Sequence, residues 1–470
     1  MNIAFCSSEV FPFAKTGGLA DVCGALPLSL AKLGHKVSIF LPKYKCVDSG
    51  PYKMTKVADR IFKTTLSGSI DVFLVEHKEY FDRDGLYGDG TKDYPDNLKR
   101  FQYFCEQVLI FIKEARLNAD IVHCHDWQTA LIPVYLKTKF KEDAWLKKIK
   151  SVLTIHNLAF QGIYPKEEFN RLGLNGDLFN LNVFEFFGQI NLLKAGILYS
   201  DEITTVSPQY AKEIQTKEFG CGLEGFLKSR QNRIEGILNG LDQEVWNPQT
   251  DSLIVKNYSL QSFKDGKAQN KKHLQGVMHL PVDSKIPVFG FVGRLSHQKG
   301  VDLILEALSH MENIDAQIII QGIGEKRFYD ELKERQRRFP HKIALRFEFN
   351  EELAHRIYAG ADMFLMPSAY EPCGLSQMIS LRYGTIPLVY KTGGLVDTVK
   401  PFDSKALKGH GFVFEKYTRE DFLQCFQEAV QIFHKKDLFD RLIHNAFSLD
   451  FSWQKSAQGY ERVYECVLSA

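Results

Sequence analysis

Short runs of apolar residues alternate along the chain with longer segments in which apolar positions recur every three or four residues. The first half contains the runs NIAF, HKVSIFLP, IDVFLVEH, ADIVHC and SVLTIHN, and the second half contains IPVFGFVG, AQIIIQGIG, ADMFLMPS and TIPLVYKTGG. Continuous apolar strands are typical of parallel sheets buried on both faces, and the periodic segments predict the helices that cover them. The pattern therefore predicts an α/β protein with two doubly wound domains.

A polar, turn-rich stretch, NGLDQEVWNPQTDSLIVKNYSL, interrupts this pattern in the middle of the chain. It predicts a boundary near 241–247, with an N-terminal domain over residues 1–243 and a C-terminal domain over 244–450. Apolar positions at helical spacing then predict a closing helix over 451–470, which can return to the N-terminal domain. A chain of 470 residues fits two domains, because single hydrophobic cores stop growing at about 250–300 residues.

Composition excludes several classes of protein. Hydrophobic residues make up 44% and charged residues 25% of the chain, as in ordinary soluble proteins. No apolar run approaches the roughly 18 residues needed to span a membrane, and the N-terminus lacks a secretory signal pattern. Nine cysteines without CxxC pairs favour reduced thiols, and a net charge of +2 gives no reason to expect nucleic acid. We therefore expect a cytoplasmic location and neither membrane nor nucleic-acid partners.

Nearly the same heptapeptide occurs twice, as KTGGLAD from position 15 and as KTGGLVD from position 391. Adjacent glycines can turn backbone N–H groups toward an anion, and a neighbouring lysine adds positive charge, although such dipeptides also form ordinary tight turns. Leu19, Val22 and Leu26 define one apolar face of a helix that begins at the first copy. Its positive N-terminal end favours phosphate binding there.

Ligands of open parallel sheets bind beyond the carboxyl ends of the strands, so the residues that follow each apolar run carry the functional signal. Arg294 and Lys299, in one glycine-flanked loop, can converge on a diphosphate or form a solvated basic loop. Glu371 can accept hydrogen bonds from sugar hydroxyls or favour a helix N-terminus. His156 is either a donor to a sugar or a packed core histidine.

Three other kinds of site do not fit the residues present: a P-loop, a dinucleotide-binding loop and a metal site. The two lysines precede the glycines, and Gln298 stands where a P-loop requires its second glycine. QGIGEKR has Arg327 at the third glycine position of a dinucleotide-binding loop. HCHDW suggests a metal site through His123, Cys124 and His125, but neighbouring strand residues point to opposite faces. We therefore predict no metal and no cofactor.

Taken together, KTGGLADV, FDRDGLYG, HCHDWQT, TIHNLAFQG, ILNGLD, GRLSHQKG, EPCGLSQ and YKTGGLVDTV resemble the bacterial glycogen synthases and the related plant starch synthases. The resemblance extends over nearly the whole chain in the family's order. It implies a GT-B fold, in which two Rossmann-like domains face each other across a deep cleft. It also implies a retaining transfer of glucose from ADP-glucose to the non-reducing-end 4-hydroxyl of an α-1,4-glucan, so that glycogen is elongated.

The resemblance assigns roles to residues of both domains. It implies catalytic roles for Lys15, His156, Arg294, Lys299 and Glu371, with the three cations at the donor phosphates. It implies donor or sugar contacts for Gly17, Gly18, Asp21, Asp126, Asn157, Asn239, Cys373, Gly374, Leu375, Thr392, Gly393 and Gly394. Phe349 stands where the family often has tyrosine against the adenine. Ile379 replaces a second glutamate that many retaining enzymes of this fold carry and that the synthase branch generally lacks.

Two other functions stay open from the residues alone. The first is a related GT-B transferase that uses a UDP-sugar, because donor selectivity is not written in these motifs. The second is a regulator that binds glucan or nucleotide without catalysis. The catalytic-type residues retained at all of these positions argue against the second.

Overall fold

The computed structural model describes residues 1–47 and 52–470, which form two compact units. The first unit comprises Met1–Gly240 together with Trp453–Ala470, and the second comprises Leu241–Ser452. The sequence placed these boundaries after residues 243 and 450. Among the described residues, no helix is long and apolar enough to cross a membrane.

The first unit is built on a sheet for which the described residues supply nine strands. The strands of this unit are β1 (Asn2–Cys6), β2 (Lys36–Pro42), β3 (Thr55–Ala58), β4 (Ile61–Leu66), β5 (Ile70–Val75), β6 (Ile121–His125), β7 (Lys150–Ile155), β8 (Ile163–Pro165), β9 (Glu185–Phe186), β10 (Gln189–Asn191), β11 (Glu202–Thr205) and β12 (Ile234–Gly236). The sheet order is β12-β11-β7-β6-β1-β2-β5-β4-β3, and β8, β10 and β9 form a separate small sheet. Pairing in the large sheet is parallel except where β4 meets β3 and β5.

Helices connect these strands. They are α1 (Gly18–Lys32), α2 (Lys78–Phe81), α3 (Asn97–Glu114), α4 (Asp126–Thr129), α5 (Leu131–Lys137), α6 (Leu192–Tyr199), α7 (Pro208–Glu213) and α8 (Glu224–Ser229), with 3-10 turns at Leu146–Lys148, Lys166–Leu172, Gly176–Leu178 and Gln231–Arg233. The apolar face predicted for α1 is buried, as Val22, Leu26 and Leu30 show. Burial of this face fixes the N-terminus of α1 at the first glycine loop.

The second unit contains a parallel sheet for which six strands are described, in the order β15-β14-β13-β16-β17-β18. They are β13 (Val288–Val292), β14 (Gln317–Gln321), β15 (Ile343–Arg346), β16 (Met363–Met366), β17 (Ile386–Tyr390) and β18 (Phe412–Phe414). The helices are α9 (Phe263–Val277), α10 (Val301–Ser309), α11 (Lys326–Arg338), α12 (Glu351–Gly360), α13 (Ser376–Arg382), α14 (Gly393–Thr398), α15 (Arg419–His434) and α16 (Lys436–Phe447), with 3-10 turns at His297–Lys299 and Met311–Asn313.

The final helix, α17 (Trp453–Ser469), belongs to the first unit. Its Ser456 hydroxyl donates to the Leu238 carbonyl at 2.6 Å, and the Tyr464 hydroxyl lies 2.8 Å from His123 Nδ1. Tyr464 is fully buried. The chain therefore closes the first unit with its last helix.

Each sheet has a point where the strand order reverses, and four of the candidate residues, Lys15, Asp126, Arg294 and Glu371, follow strands at these points. In the first unit β1 lies between β2 and β6, and in the second β13 lies between β14 and β16. The carboxyl ends of the strands next to such a reversal are the usual ligand sites of open α/β sheets. The fold thus brings these four residues to the sheet edges at which ligands of open α/β folds usually bind.

Candidate active site

The first glycine loop leaves space beside the N-terminus of α1. Gly17 precedes the helix in an extended conformation, and Gly18 is its first residue. A Cβ atom built on either glycine meets no heavy atom within 4 Å. Lys15 is 46% exposed, and its Nζ lies 2.6 Å from Asp21 Oδ1. The protein's own packing therefore does not require these glycines, which fits a ligand that approaches the backbone.

Glu9 holds this loop in place, a role that the sequence analysis missed. Its carboxylate accepts the Thr16 and Gly17 amides at 2.5 and 3.2 Å and the Thr16 hydroxyl at 2.6 Å. The Tyr87 hydroxyl, from a distant part of the chain, also donates to it at 2.7 Å. Glu9 itself is only 3% exposed, although Thr16 and Gly17 lie at the surface. The one available signal was its position directly after β1.

Asp126 and His156 meet at the ends of the adjacent strands β6 and β7. Asp126 adopts a left-handed backbone with φ of 56°, and its Oδ1 accepts the His156 amide at 2.7 Å. Burial raises the pKa of Asp126 to about 7 and lowers the pKa of His156 to about 3. The His156 imidazole is therefore neutral near pH 7 and lies 2.9 Å from His125 Nδ1 through its Nε2.

The two predicted asparagines follow different strands. The Asn157 side chain accepts the Ala159 amide at 3.1 Å, which shapes the turn after β7. Asn239 lies beyond β12, at the edge of the sheet order. It is buried, and its Oδ1 has no hydrogen-bond partner among the described residues. A buried acceptor without a partner fits a polar ligand.

In the second unit, Lys299 and Glu371 form a direct ion pair. Lys299 Nζ lies 2.6 Å from Glu371 Oε2, which also accepts the buried Ser368 hydroxyl at 3.0 Å. Gly300 allows the backbone after Lys299 to pass close to the Pro367 carbonyl. It has a φ of 72°, and a Cβ there would lie 2.0 Å from that carbonyl oxygen. Arg294 is exposed and donates to the Gln298 side chain at 3.0 Å.

The segment from Cys373 to Leu375 is organised by Gln377, another residue that the sequence analysis missed. The Gln377 amide nitrogen donates to the Cys373 and Gly374 carbonyls at 2.9 and 3.0 Å and to the Thr398 hydroxyl at 3.0 Å. Leu375 then leads into α13. This buried amide fixes the backbone that follows Glu371.

The second glycine loop differs from the first in the contacts of its backbone. The amide of Thr392 donates to the Tyr390 carbonyl, and that of Gly394 donates to the Glu371 carbonyl. A Cβ on Gly393 would lie 2.0 Å from the Glu371 carbonyl oxygen, and one on Gly394 would lie 2.1 Å from that of Cys373. These glycines are needed for packing against the Glu371 segment.

Two further predicted positions lie on the surface of the second unit. The Lys391 amine pairs with Glu415 at 2.8 Å, and half of the Lys391 side chain is exposed. Phe349, which precedes the N-cap residue Asn350 of α12, is 85% exposed. An exposed phenyl ring is available to stack on a base.

One cluster could hold a metal. Donor atoms of Cys23, His125 and His156 all lie within 4.8 Å of one another. The sequence analysis had weighed His123, Cys124 and His125 instead. Cys124 does not belong to this group, in agreement with the strand alternation. The Cys23 thiol, from α1, is the sulfur ligand instead.

Comparison with known proteins accounts for both units. Residues 2–229 match the family described as starch synthase catalytic domain, and residues 279–446 match glycosyl transferases group 1. The glycogen synthase of Geotalea uraniireducens is 45% identical over 481 residues, which cover 100% of this chain and 99% of that protein. That of Thermotoga maritima is 42% identical over 488 residues, with coverage of 100% and 99%.

Solved structures agree with these relatives. The catalytic domain of starch synthase IV from Arabidopsis thaliana, bound to ADP and acarbose, matches with a TM-score of 0.89 and 32% identity over 100% of this chain and 99% of that one. Sucrose-phosphate synthase from Thermosynechococcus elongatus matches with a TM-score of 0.62 at 15% identity and coverage of 100% and 99%, a likeness that shows the fold alone.

The two largely parallel sheets, together with the matching families and structures, define a glycosyltransferase of the GT-B class. The full-length relatives narrow this class further. The chain belongs to the family of bacterial glycogen synthases and plant starch synthases.

Proposed function

We propose that the chain transfers glucose from ADP-glucose to the non-reducing-end 4-hydroxyl of an α-1,4-glucan and retains the anomeric configuration. The contact between Lys299 and Glu371 carries this proposal. In a nucleotide sugar, an anionic diphosphate is bonded directly to a ring rich in hydroxyl groups. A site for it needs a cation beside a hydrogen-bond acceptor, and these two side chains provide that pair.

Positively charged side chains contribute most to catalysis in this proposal. Cleavage of the anomeric bond leaves additional negative charge on ADP, which fixed positive groups stabilise as it develops. We assign Lys15, Arg294 and Lys299 to this role. Glu371 then exchanges its bond with Lys299 for bonds to sugar hydroxyls when the donor phosphates arrive.

His156 and Asp126 act on the sugar in different ways. A neutral imidazole can donate a hydrogen bond to a hydroxyl without placing a positive charge beside the cationic sugar of the transition state. Asp126 holds the backbone of His156 through its amide and is therefore a positioning residue. The leaving phosphate serves as the base for the acceptor hydroxyl in this account, since no nucleophile pair is assigned.

The proposal also covers the nucleotide of the donor and the location of the protein in the cell. The starch synthase that matches over the full length was solved with ADP, and the exposed Phe349 ring offers a stacking face for adenine. No cofactor or metal takes part in the proposed reaction. All nine cysteines are free thiols, which fits a reducing compartment such as the cytoplasm.

Transfer of radiolabelled glucose into glycogen from ADP-glucose and from UDP-glucose tests the proposal. We expect ADP-glucose to be the preferred donor and label to enter the polymer. Preference for UDP-glucose would assign the chain to another donor class. Binding of ADP-glucose without transfer would indicate a regulator. Glu371→Gln is the matched variant with reduced transfer, because it keeps the shape of the site while it removes the charge that faces Lys299.

A further inference from the structure

Three potential metal ligands from separate elements converge near the first glycine loop. Cys23 lies on the buried face of α1, His125 ends β6, and His156 follows β7. One donor atom of each lies within 4.8 Å of the other two, and one pair of imidazole nitrogens is already 2.9 Å apart. Ligands of one tetrahedral zinc ion lie about 3.3–3.7 Å apart, given bonds of about 2.1 Å to nitrogen and 2.3 Å to sulfur. Small side-chain movements therefore suffice for all three to share an ion.

The surroundings of His125 point to a ligand as well as to packing. Its Nδ1 faces His156, but its Nε2 is buried and has no hydrogen-bond partner in the part of the chain that the structure describes. Buried polar atoms are usually paired, so this ring has unused bonding capacity.

Negative charge around Cys23 favours a cation at this place. The carboxylates of Glu9 and Asp21 interact electrostatically with the Cys23 thiol. The same carboxylates attract a divalent ion, which offsets the cost of removing the thiol proton. On coordination the sulfur–hydrogen bond is replaced by a sulfur–metal bond, and the proton passes to solvent.

We propose that Cys23, His125 and His156 form a binding site for a thiophilic divalent cation such as Zn²⁺, and that the bound ion inhibits glucosyl transfer. Thiolate and imidazole are the ligands that zinc prefers. A coordinated His156 is no longer available to the sugar, so the inhibition rests on the function proposed above. Binding of the ion does not rest on it.

Cobalt binding tests the site independently of activity. Chelator-treated, desalted protein is titrated with Co²⁺, whose thiolate complexes show a charge-transfer band in the near ultraviolet. We expect a saturable band from one bound ion that is lost in Cys23→Ala and in Cys23→Ser. Cys46→Ala is the matched control, because Cys46 is an exposed thiol outside the cluster and its loss should leave the band intact. Absence of the band in the unmodified protein, or its persistence in both Cys23 variants, overturns the proposal.

Zinc inhibition tests the consequence. Transfer is measured with increasing Zn²⁺ and expressed relative to the metal-free rate of each variant, so that a change in basal activity does not enter. We expect inhibition that excess EDTA reverses, and an inhibitory concentration at least about tenfold higher in Cys23→Ala than in Cys46→Ala. Equal sensitivity of the two variants overturns the inhibitory role. A protein that shows the cobalt band but no metal-free transfer retains the metal site and contradicts only the proposed function.

Discussion

Lys15 and Lys391 occupy equivalent positions in two nearly identical heptapeptides, but their surroundings differ. Lys15 stands beside two glycines with open space next to them and at the positive end of α1. Lys391 forms an exposed ion pair with Glu415, and the glycines after it are packed against backbone. Nearly identical local sequence therefore leaves open space beside the glycines in one unit and serves internal packing in the other.

Replacement of each lysine by alanine tests this difference. Lys15→Ala should lower kcat/KM by about 10²–10³, which corresponds to loss of one group that stabilises the leaving charge. Lys391→Ala should lower it by less than about tenfold, because exposed ion pairs contribute little. Steady-state kinetics with ADP-glucose measure both. Equal losses in the two variants would show that the loops are functionally equivalent.

Lys267 links the stability of the second unit to pH. Its buried amine donates to the Thr385 hydroxyl at 2.7 Å and to two backbone carbonyls. Burial lowers its pKa to about 7 from an ordinary value of 10.5, while Asp362 opposes and Lys271 adds to the shift. Between these values the unfolded chain binds the extra proton, so stability rises with pH and is lost as pH falls toward 7.

The melting temperature should therefore respond to pH through this residue. From about pH 7 to about pH 9, the change in melting temperature should be more positive in the unmodified protein than in Lys267→Met. Lys267→Met carries no titrating amine at this position. Its pH profile therefore shows the contribution of all other groups and is the reference for the unmodified protein. Identical pH profiles of the two proteins would contradict a lowered pKa for Lys267.

At the scale of elements, the two glycine loops differ in what an added methyl group would contact. Gly394→Ala places a Cβ within 2.1 Å of the Cys373 carbonyl oxygen, whereas Gly18→Ala meets nothing within 4 Å. We expect Gly394→Ala to lower the unfolding free energy by about 1–3 kcal/mol through overpacking. Gly18→Ala should leave stability unchanged or higher, since alanine favours helices, but should slow transfer by about tenfold or more.

Thermal unfolding and kcat/KM, measured on both variants, separate the two effects. A stable Gly394→Ala protein would mean that the second loop and the Glu371 segment can move apart without cost. An unchanged transfer rate in Gly18→Ala would mean that the donor does not use the space beside the first loop.

The sequence was sufficient for features that depend on local pattern. Apolar runs such as VFGFV and QIIIQ are the buried strands β13 and β14, and the predicted two-domain α/β fold is confirmed. Contacts between distant segments were not predictable in this way. Tyr87 reaches Glu9 only in the folded chain, and Cys23 meets His125 and His156 only after α1 packs on the sheet.

The same reason applies to the second glycine loop, for which the sequence predicts donor contacts. A Gly-Gly pair signals close approach of something to the backbone, but it does not say whether this is a ligand or another loop. Here the Glu371 segment fills that space. The Gly-Gly pair identified a place of close backbone approach, and only the tertiary structure shows that the Glu371 segment lies there.

At the scale of the whole molecule, the assigned catalytic residues are divided between the two units. Lys15 and His156 belong to the first, and Arg294, Lys299 and Glu371 belong to the second. In the function proposed above, three of the five are cations that stabilise the leaving diphosphate in place of a metal ion. The account therefore requires both units for one reaction.

Activity should accordingly persist in excess EDTA. The rate of transfer from ADP-glucose is measured before and after removal of divalent ions, and we expect no loss. Where traces of zinc occupy the Cys23 cluster, the chelator should raise the rate. A loss that Mg²⁺ or Mn²⁺ reverses would show that a metal supplies charge that we assign to lysine and arginine.

Extension of a maltooligosaccharide by ADP-glucose, followed by NMR, tests the central claim most directly. The account predicts new α-1,4-linked residues at the non-reducing end, with one ADP released for each residue added. Glu371→Gln should reduce this rate by about 10² or more, while Lys391→Ala should stay within about tenfold of the unmodified protein. Consumption of ADP-glucose without glucan extension, or extension that is unaffected in Glu371→Gln, would contradict the account.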